Sequence, residues 1–269
     1  MNRHLDPTSF HEVGDLFPGE VEVLSVGPHV PVGEALRLML SAGYSQVPVI
    51  DNGTVRGLFS FATLARVVAT EPKFELHTLL VGDVMESVPF VTVRDSLHSV
   101  LPMLEEREAI LVGSPSGLQA VATPTDALRY LYKLAKPFVL LGEIEKALRA
   151  LITMRTPGAL LSECIDNSIR KMYEEQQRQV PEKLDEMSFE DLRSLVISGK
   201  NWKYFEGTLG QNRALISSKL ERIRVLRNQV LHFRSELSSL DQQDLVAMRD
   251  WLRDKAQTAQ PSAPEDQDD

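Results

Sequence analysis

The chain has 269 residues, of which 43% are hydrophobic and 25% are charged, and its formal net charge is −9. This composition is typical of a soluble globular protein with two ordinary domains, and the acidic balance argues against a protein that coats nucleic acid over its whole surface. No apolar run approaches the ~20 residues of a membrane helix, and one cysteine cannot form an internal disulfide, so a cytoplasmic location is expected.

The first half of the sequence contains one series of elements twice. A Val-Gly-Asp-hydrophobic motif opens both copies, at residue 13 and at residue 81. Each copy then predicts a helix, a short apolar strand, a turn, a second strand and a closing helix. This order predicts a diverged duplication, with repeats at about 10–70 and 78–135. The helices and strands are expected at 34–40, 47–50, 55–60 and 63–68 in the first copy, and at 98–104, 109–112, 118–122 and 125–134 in the second.

The pattern changes at about residue 137, where apolar residues begin to recur every three or four positions. This period is typical of helices packed on one face. Pro137 and Pro157-Gly158 are expected to mark helix starts. The sequence therefore predicts an all-α bundle over 136–256 and a disordered acidic tail over 257–269. The candidate helices cover 138–154, 159–179, 189–198, 213–236 and 241–256, with a short helix and loops over 180–212.

The repeated unit resembles the CBS domain, and the pair resembles a Bateman module, over roughly residues 10–135. The resemblance rests on the two Val-Gly-Asp motifs and on Pro48-Val49-Ile50-Asp51 followed by Gly57-Leu58-Phe59-Ser60. It implies an α+β tandem pair that binds an adenosine-containing ligand in the cleft between the repeats. The regulatory ligand is then expected to be AMP, ADP or ATP.

In similar CBS pairs, a Ser or Thr and an Asp three residues later hold the ribose. The second copy keeps this pattern as Thr123 and Asp126, whereas the first copy has Ser60 and Thr63. A carboxylate can accept hydrogen bonds from both ribose hydroxyls, so one site per chain is expected. The alternative is that Thr123 and Asp126 only cap the helix that follows. By the same resemblance, the base pocket is expected to be lined by Ser87, Val88, Pro89 and Ile110.

Residues 211–236 combine an apolar helical stripe with an excess of positive charge. Five Lys and Arg side chains lie between the members of the stripe, and the whole range holds six against two acids, Glu221 and Glu236, a local net charge of about +4. A helical wheel at ~100° per residue places Asn228 and His232 nearly opposite the stripe, with Arg227 on its flank. The sequence therefore predicts that His232 lies outside the core. The stripe consists of Ile216, Leu220, Ile223, Leu226, Val230, Phe233 and Leu237, and the basic residues are Lys219, Arg222, Arg224, Arg227 and Arg234.

The run Arg227-Asn228-x-x-x-His232 resembles the signature of HEPN domains, and the resemblance extends over about 137–255. It implies a helical bundle that dimerises and cleaves RNA without a metal, with Arg227, Asn228 and His232 of two copies at one shared site. An imidazole can exchange a proton with the ribose 2′-hydroxyl or with the leaving oxygen, and a guanidinium can stabilise charge on the phosphate. Attack by the 2′-hydroxyl would leave a 2′,3′-cyclic phosphate.

The sequence thus favours a homodimeric endoribonuclease regulated by an adenosine nucleotide, with a setting in stress response or phage defence by family analogy. Two alternatives stay open. One is a non-catalytic adenine-nucleotide-sensing regulator that binds RNA or a protein partner, and the other is an RNA-binding protein that needs no nucleotide. No metal site is expected, because the histidines lack metal-ligand spacing with Cys or acidic residues. Glu143 and Glu145 either enter the helical site or form a solvated face.

Overall fold

The chain divides into two compact units, Met1–Tyr132 and Lys133–Asp269, in the computed structural model of the protein. The N-terminal unit holds two α+β repeats and the C-terminal unit is helical, as the sequence predicts. Each unit has hydrophobic clusters of its own. The residues that the structure describes are 11–19, 22–70, 78–232 and 236–258.

The first repeat confirms the predicted order of elements. Its two strands, β1 and β2, are antiparallel. Asn52 and Gly53 join them with φ angles of 51° and 75°, the left-handed backbone that a tight two-residue hairpin turn requires. Val49, Phe59 and Met39 are fully buried between the strands and the helices. The elements are a 3-10 turn at Val13–Leu16, α1 (Val32–Ala42), β1 (Gln46–Asp51), β2 (Thr54–Ser60) and α2 (Phe61–Thr70).

The second repeat has the same order of elements, and its strand β3 takes the place of an isolated parallel bridge between Val26 and Val49 in the first repeat. Strand β3 is parallel to β4, and β4 is antiparallel to β5. The pairs Val49–Gly57 and Val112–Ala120 both directly precede a register shift, so equivalent residues of the two hairpins differ by 63 in number. The elements are α3 (Val81–Val84), β3 (Phe90–Val91), α4 (Leu97–Glu106), β4 (Ile110–Ser114), β5 (Gly117–Ala122) and the start of α5 (Pro124–Arg155).

The two repeats exchange their opening segments. Val13 lies in the core of the second repeat, and its N–H donates to the carbonyl of Asp95 at 2.9 Å. Val81, in turn, lies in the core of the first repeat, and its N–H donates to the carbonyl of Val30 at 2.9 Å. Each Val-Gly-Asp motif therefore completes the core of the other copy, so the pair is one structure rather than two independent domains.

The C-terminal unit is built from the rest of α5 and six further helices among the residues that the structure describes. Its core is a single cluster in which Ile144, Leu148, Phe205 and Leu245 are fully buried. The further helices are α6 (Ala159–Asp166), α7 (Arg170–Glu175), α8 (Phe189–Ile197), α9 (Trp202–Leu209), α10 (Arg213–Leu231) and α11 (Ser239–Thr258).

Two predicted helix boundaries in this unit are wrong. Pro137 does not start a helix but lies inside α5. A proline there removes one helical hydrogen bond, that to the carbonyl of Lys133, and Lys133 is exposed, so water can satisfy that carbonyl. The predicted helix 159–179 is broken after α6, because the carbonyl of Cys164 accepts from the side chains of Ser168 and Asn201, at 2.6 and 2.9 Å.

The ends of the last two helices also differ from prediction. Helix α10 ends at Leu231, and residues 233–235 of the predicted helix lie outside the described part of the chain. Helix α11 is longer than the predicted 241–256 and includes residues 257 and 258, which the sequence assigns to the disordered tail. The remainder of that predicted tail, 259–269, lies outside the described residues.

Candidate functional site

Thr123 and Asp126 form a reciprocal hydrogen-bonded pair at the start of α5. Asp126 Oδ2 accepts from the Thr123 hydroxyl at 2.6 Å and from the Thr123 N–H at 3.0 Å, and the Asp126 N–H donates back to Thr123 Oγ1 at 3.2 Å. The second carboxylate oxygen, Oδ1, lies 3.4 Å from Nη1 of Arg129. The pair therefore caps the helix with one carboxylate oxygen and presents the other to Arg129.

The same arrangement caps the N-terminal ends of other helices in the chain. Ser188 with Asp191 and Ser238 with Asp241 repeat it, each with a hydroxyl-to-carboxylate distance of 2.7 Å. These pairs lie in the helical unit. The geometry of Thr123 and Asp126 by itself is thus that of a helix cap, and a binding role has to be argued from what surrounds it.

The surroundings of Thr123 and Asp126 are a cavity of about 540 Å³ within the N-terminal unit. This volume lies within the range of small-molecule sites. One wall comes from the second repeat and includes Val121 and Arg129, and the opposite walls come from the first repeat. The first-repeat residues are 16–19 and 22–24 of the opening segment, 43–46 of the loop after α1, and Pro48.

The corresponding pair of the first repeat is closed. The N–H of Ser60 donates to Thr63 Oγ1 and the N–H of Thr63 donates to Ser60 Oγ, both at 3.0 Å. Ser60 and Thr63 are 1% and 3% exposed, and Thr63 occupies the position that the carboxylate of Asp126 has in the second repeat. The first repeat thus keeps the cap and lacks the acid.

The predicted base-pocket residues do not line this cavity. Ser87, Val88 and Pro89 follow α3, which packs on the first repeat, and Ile110 is fully buried in the core of the second repeat. The four residues are therefore not brought together with Thr123 and Asp126 at this cavity, because the repeats exchange their opening segments and Thr123 and Asp126 face the segment of the first copy.

The residues that sequence reasoning missed are 22–24. Val26 pairs with Val49 in the first repeat as Val91 pairs with Val112 in the second, an offset of 65. At this offset, Glu22, Val23 and Leu24 correspond to Ser87, Val88 and Pro89. The internal repeat implies that residues 22–24 correspond to 87–89, but only the fold shows that 22–24 line the cavity that contains Thr123 and Asp126.

In the helical unit, the apolar stripe of α10 packs into the core as predicted. Its members within the helix are all at most 7% exposed, and Leu237 is partly buried against the same cluster. Phe233 lies outside the described residues. The buried members are Ile216, Leu220, Ile223, Leu226 and Val230.

Basic residues of the predicted positive face of α10 already have partners, which are acids of α11, an acid of α10 itself and an aromatic ring. Arg222 pairs with Asp241 and with Asp244, the latter at 3.0 Å, and these contacts raise the pKa of Arg222. Arg224 pairs with Glu221 at 2.5 Å. Lys219 lies over the ring of Trp251 at 4.7 Å, and Arg234 is outside the described residues. The local charge of +4 expected from the helix sequence is therefore not an open basic surface.

The three predicted catalytic residues lie at the C-terminal end of α10. Arg227 and Asn228 are half-buried, and His232 is exposed at the position that ends the helix. Arg227 Nε lies 3.6 Å from Glu145 Oε2, and Glu145 also pairs with Arg149 at 2.7 Å. Glu143 pairs with Arg249 at 2.8 Å. Of the two acids considered from the sequence, Glu145 is thus the one that contacts the Arg-Asn-x-x-x-His segment.

Other chemistry is sparse in the described residues. They contain no group of three or more His, Cys, Asp or Glu side chains that could hold a metal ion. Among the helices described, none is long and apolar enough to cross a membrane. Cys164 is fully buried in α6, and burial raises the pKa of its thiol.

Comparison with known protein families gives one match, to the CBS domain, over residues 13–70. The N-terminal part contains a CBS domain. With the second copy of the same order of elements beside it, this part has the α+β fold of a CBS pair, and the C-terminal region is mostly helical. No curated protein matches the chain.

Solved structures that are similar to part of the chain include three CBS proteins. A CBS domain-containing protein from Bacillus anthracis is 25% identical, with 45% of this chain and 93% of that chain covered and a TM-score of 0.39. A CBS-domain containing protein from Agrobacterium tumefaciens is 21% identical, with 48% and 99% covered and a TM-score of 0.42. CBSX2, a CBS-pair protein of Arabidopsis thaliana, is 26% identical in its complex with AMP, with 45% and 96% covered and a TM-score of 0.39.

Proposed function

We propose that the CBS pair binds one adenosine nucleotide per chain and that this ligand regulates the helical unit. The observation that carries the proposal is the cavity of about 540 Å³ that contains Thr123 and Asp126 at one wall. A pair that only caps a helix does not require a cavity beside it. A ribose-binding carboxylate does require one, because the ligand needs space next to the carboxylate.

The chemistry of the cavity suits a nucleoside. Asp126 uses Oδ2 for the helix cap, which leaves lone pairs of Oδ1 to accept from ribose hydroxyls. Leu24 and Val121 supply apolar surface for a base, and the ring of Tyr44, half-exposed, offers a face for stacking. The first repeat has Thr63 in place of the acid, so we assign it no ligand.

The experiment is titration calorimetry with AMP, the ligand of CBSX2. Wild type is expected to bind one AMP per chain, and Asp126→Ala is expected to bind at least about tenfold more weakly, because it loses charge-assisted hydrogen bonds. Asp241→Ala is the matched control, since it removes the same kind of cap from α11. Equal affinity of wild type and Asp126→Ala would remove the ribose assignment.

For the helical unit we propose a HEPN-like, metal-independent endoribonuclease that acts as a homodimer. The supporting observation is that His232 is exposed where a core-packed helix ends, five residues after an Arg that Glu145 orients. In this proposal His232 exchanges the proton of the 2′-hydroxyl or of the leaving oxygen. Arg227 leaves Glu145 to bind the phosphate, and Asn228 orients either group.

The alternative for this unit is a non-catalytic module that binds RNA or a protein. Within this alternative, the ion pairs of Arg222 and Arg224 favour a protein partner over a broad RNA-binding surface, because these cations already have carboxylate partners. Cleavage decides between the two. Purified protein with labelled RNA and EDTA should yield 2′,3′-cyclic phosphate ends, and His232→Ala should abolish them.

The control for this assay is His98→Ala, which removes an exposed histidine of the N-terminal unit. Sharing of the site between two copies has its own test. A co-expressed mixture of His232→Ala and Arg227→Ala should recover part of the cleavage that neither variant shows alone. If His232→Ala cleaves as fast as wild type, the catalytic assignment is wrong.

A further inference from the structure

Another cavity, of about 340 Å³, lies between α10 and α11 of the helical unit. Its floor is apolar, because Ile223 and Met248 are 2% and 6% exposed. A cavity of this size between two helices suits the side chains of a short peptide segment. We call it the α10–α11 groove, and its lining includes Ser218, Lys219, Arg222, Asp244, Met248 and Trp251.

The two ends of the groove differ in the partners of their cations. At one end the ammonium of Lys219 lies over the ring of Trp251, 4.7 Å from its centroid. At the other end Arg222 already binds the carboxylates of Asp241 and Asp244. An aromatic ring attracts a cation but leaves its N–H donors for other acceptors, so Lys219 can still bind a carboxylate. The Trp251 end of the groove thus combines an aromatic wall with a cation that can accept an anion.

The sequence that follows α11 has the complementary composition. Residues 259–269 contain four acids and no base, together with Pro261 and Pro264. Carboxylates complement the ammonium of Lys219, and proline-rich segments dock on aromatic-lined grooves. The four acids are Glu265, Asp266, Asp268 and Asp269.

The length of this segment allows it to reach the groove. Helix α11 ends at Thr258, seven residues after Trp251, which is a distance of ~10 Å along the helix axis. Six residues separate Thr258 from Glu265, and they span up to ~20 Å when extended. The chain therefore has room to turn back beside α11 and to bring Glu265 to Lys219.

We propose that residues 259–269 fold back onto the α10–α11 groove of the same chain, with their carboxylates at Lys219 and their prolines at Trp251. A covalent connection this short gives the segment an effective concentration of about a millimolar, so weak contacts are enough to hold it there. Asp244 adds little repulsion, because it lies at the far end of the groove and is bound by Arg222. The docked segment shields Lys219 and Trp251 from other ligands. Docking needs neither a nucleotide nor RNA, so it is independent of the proposed function.

Acrylamide quenching of tryptophan fluorescence tests the docking, because Trp202 is only 8% exposed and Trp251 is the more accessible of the two tryptophans. A chain that ends at Thr258 is expected to have a higher quenching constant than the full chain, since Trp251 loses its cover. The full chain should approach the same constant at about 1 M salt, where the Debye length falls to ~3 Å.

Two variants of the full chain separate charge from length. The first replaces the four acids, as Glu265→Gln, Asp266→Asn, Asp268→Asn and Asp269→Asn, and should be quenched like the shortened chain. Ser262→Ala, the matched control, leaves the charge of the segment unchanged and should be quenched like wild type.

Lys219→Gln tests the position of the contact. In this variant, removal of the segment should no longer change the quenching constant. In Lys200→Gln, the matched control at an exposed lysine of the same unit, removal should change it as in wild type.

Three results would contradict the proposal. Equal quenching of the full and shortened chains, or of the full chain and the four-amide variant, would show that the segment does not cover Trp251. A Lys219→Gln variant that still responds to removal of the segment would exclude this groove. Protection that disappears on dilution of the protein would assign the groove to the segment of a second copy and contradict docking within one chain.

Discussion

Reciprocal pairs of residues three apart close the first turns of α2, α5, α8 and α11. The α5 and α11 pairs have nearly the same distances, and Asp126 of the α5 pair lies at the cavity of about 540 Å³. At the scale of the residue, such a pair predicts where a helix starts but does not predict whether its carboxylate binds a ligand. Both interpretations of Thr123 and Asp126 rested on the same two residues, and only the neighbouring segments distinguish them.

Asp241 is expected to make stability depend on pH in the acid range. The hydroxyl of Ser238, then its backbone N–H and the charge of Arg222, lower the pKa of Asp241 below its ordinary value of 3.8. A carboxyl with a lower pKa in the folded state binds fewer protons there than in the unfolded chain, so its contribution is complete above the ordinary value. The contribution disappears as the pH falls through the folded-state pKa.

Denaturation of Asp241→Asn and wild type at about pH 7 and about pH 3 measures this effect. The variant should be less stable at the higher pH, and the difference should shrink at the lower pH. Asp254→Asn, an exposed position on the same helix, is the control. A difference between Asp241→Asn and wild type that stays constant with pH would contradict the assignment.

Gly57→Ala is expected to destabilise the N-terminal unit. A Cβ at this position would lie 2.5 Å from the carbonyl oxygen of Glu86, so the backbone bridge between Leu58 and Glu86 would have to move. The cost of such overpacking is about 1–3 kcal/mol in the free energy of unfolding. Urea denaturation followed by far-UV circular dichroism measures it.

The matched control is Gly33→Ala in α1, where nothing lies within 4 Å of the added Cβ. This variant should leave stability unchanged or raise it by up to about 1 kcal/mol. If both alanine variants behave alike, the close approach of Glu86 to β2 does not constrain Gly57.

At the scale of the element, the sequence predicted the repeats better than the helices that follow them. Alternating apolar residues and the Asp51-Asn52-Gly53 turn identify a hairpin locally, because both signals act within a few residues. The break between α6 and α7 depends on Asn201, which is distant in sequence and reaches the carbonyl of Cys164. Pattern reasoning has no access to such a contact.

The charge of α10 shows the same limit. The helix alone predicts a basic face, but Asp241 and Asp244 of α11 bind Arg222, and Glu145 of α5 contacts Arg227. The period of the helix predicted that Asn228 and His232 lie off the buried stripe, but it did not predict that α10 ends at Leu231, directly before His232. Nor did it predict the electrostatic surroundings of the helix, because the neutralising acids belong to other helices.

Arg149 is expected to hold the segment before α8 in place. Its guanidinium donates to the carbonyls of Leu184 and Met187, both at 3.1 Å, and pairs with Glu145. Arg149→Ala would remove the guanidinium donor to the carbonyl of the buried residue Met187 and one of the two donors to the carbonyl of Leu184, at a cost of about 1–3 kcal/mol. Guanidinium denaturation followed by tryptophan fluorescence is the measurement.

Lys146→Ala, an exposed position on the same helix, serves as the control and should stay within about 0.5 kcal/mol of wild type. Equal stability of the Arg149 and Lys146 variants would show that water replaces the guanidinium at these carbonyls without loss.

At the scale of the whole molecule, the placement of tryptophan allows the two units to be observed separately. The chain has two tryptophans, Trp202 and Trp251, and both belong to the helical unit. Saturating AMP should raise the unfolding midpoint detected by circular dichroism, since a ligand at 100 times its dissociation constant stabilises the folded state by about 2.7 kcal/mol. If the nucleotide regulates the helical unit, the midpoint detected by tryptophan fluorescence should rise as well.

Asp126→Ala with the same AMP concentration is the control and should show neither shift. A rise in the unfolding midpoint detected by circular dichroism, without a rise in the midpoint detected by fluorescence, would agree with the nucleotide site. It would contradict the proposal that the nucleotide regulates the helical unit.

The exchange of opening segments has a consequence for how the chain is made. During synthesis the first repeat cannot close when its own helices emerge from the ribosome, because Val81 and Val84 of its core are not yet translated. The second repeat, in contrast, is completed by Val13, one of the earlier residues to appear. The segment that contains Val13 must therefore remain unpaired until the second repeat has been translated, and both repeats finish folding in one late event.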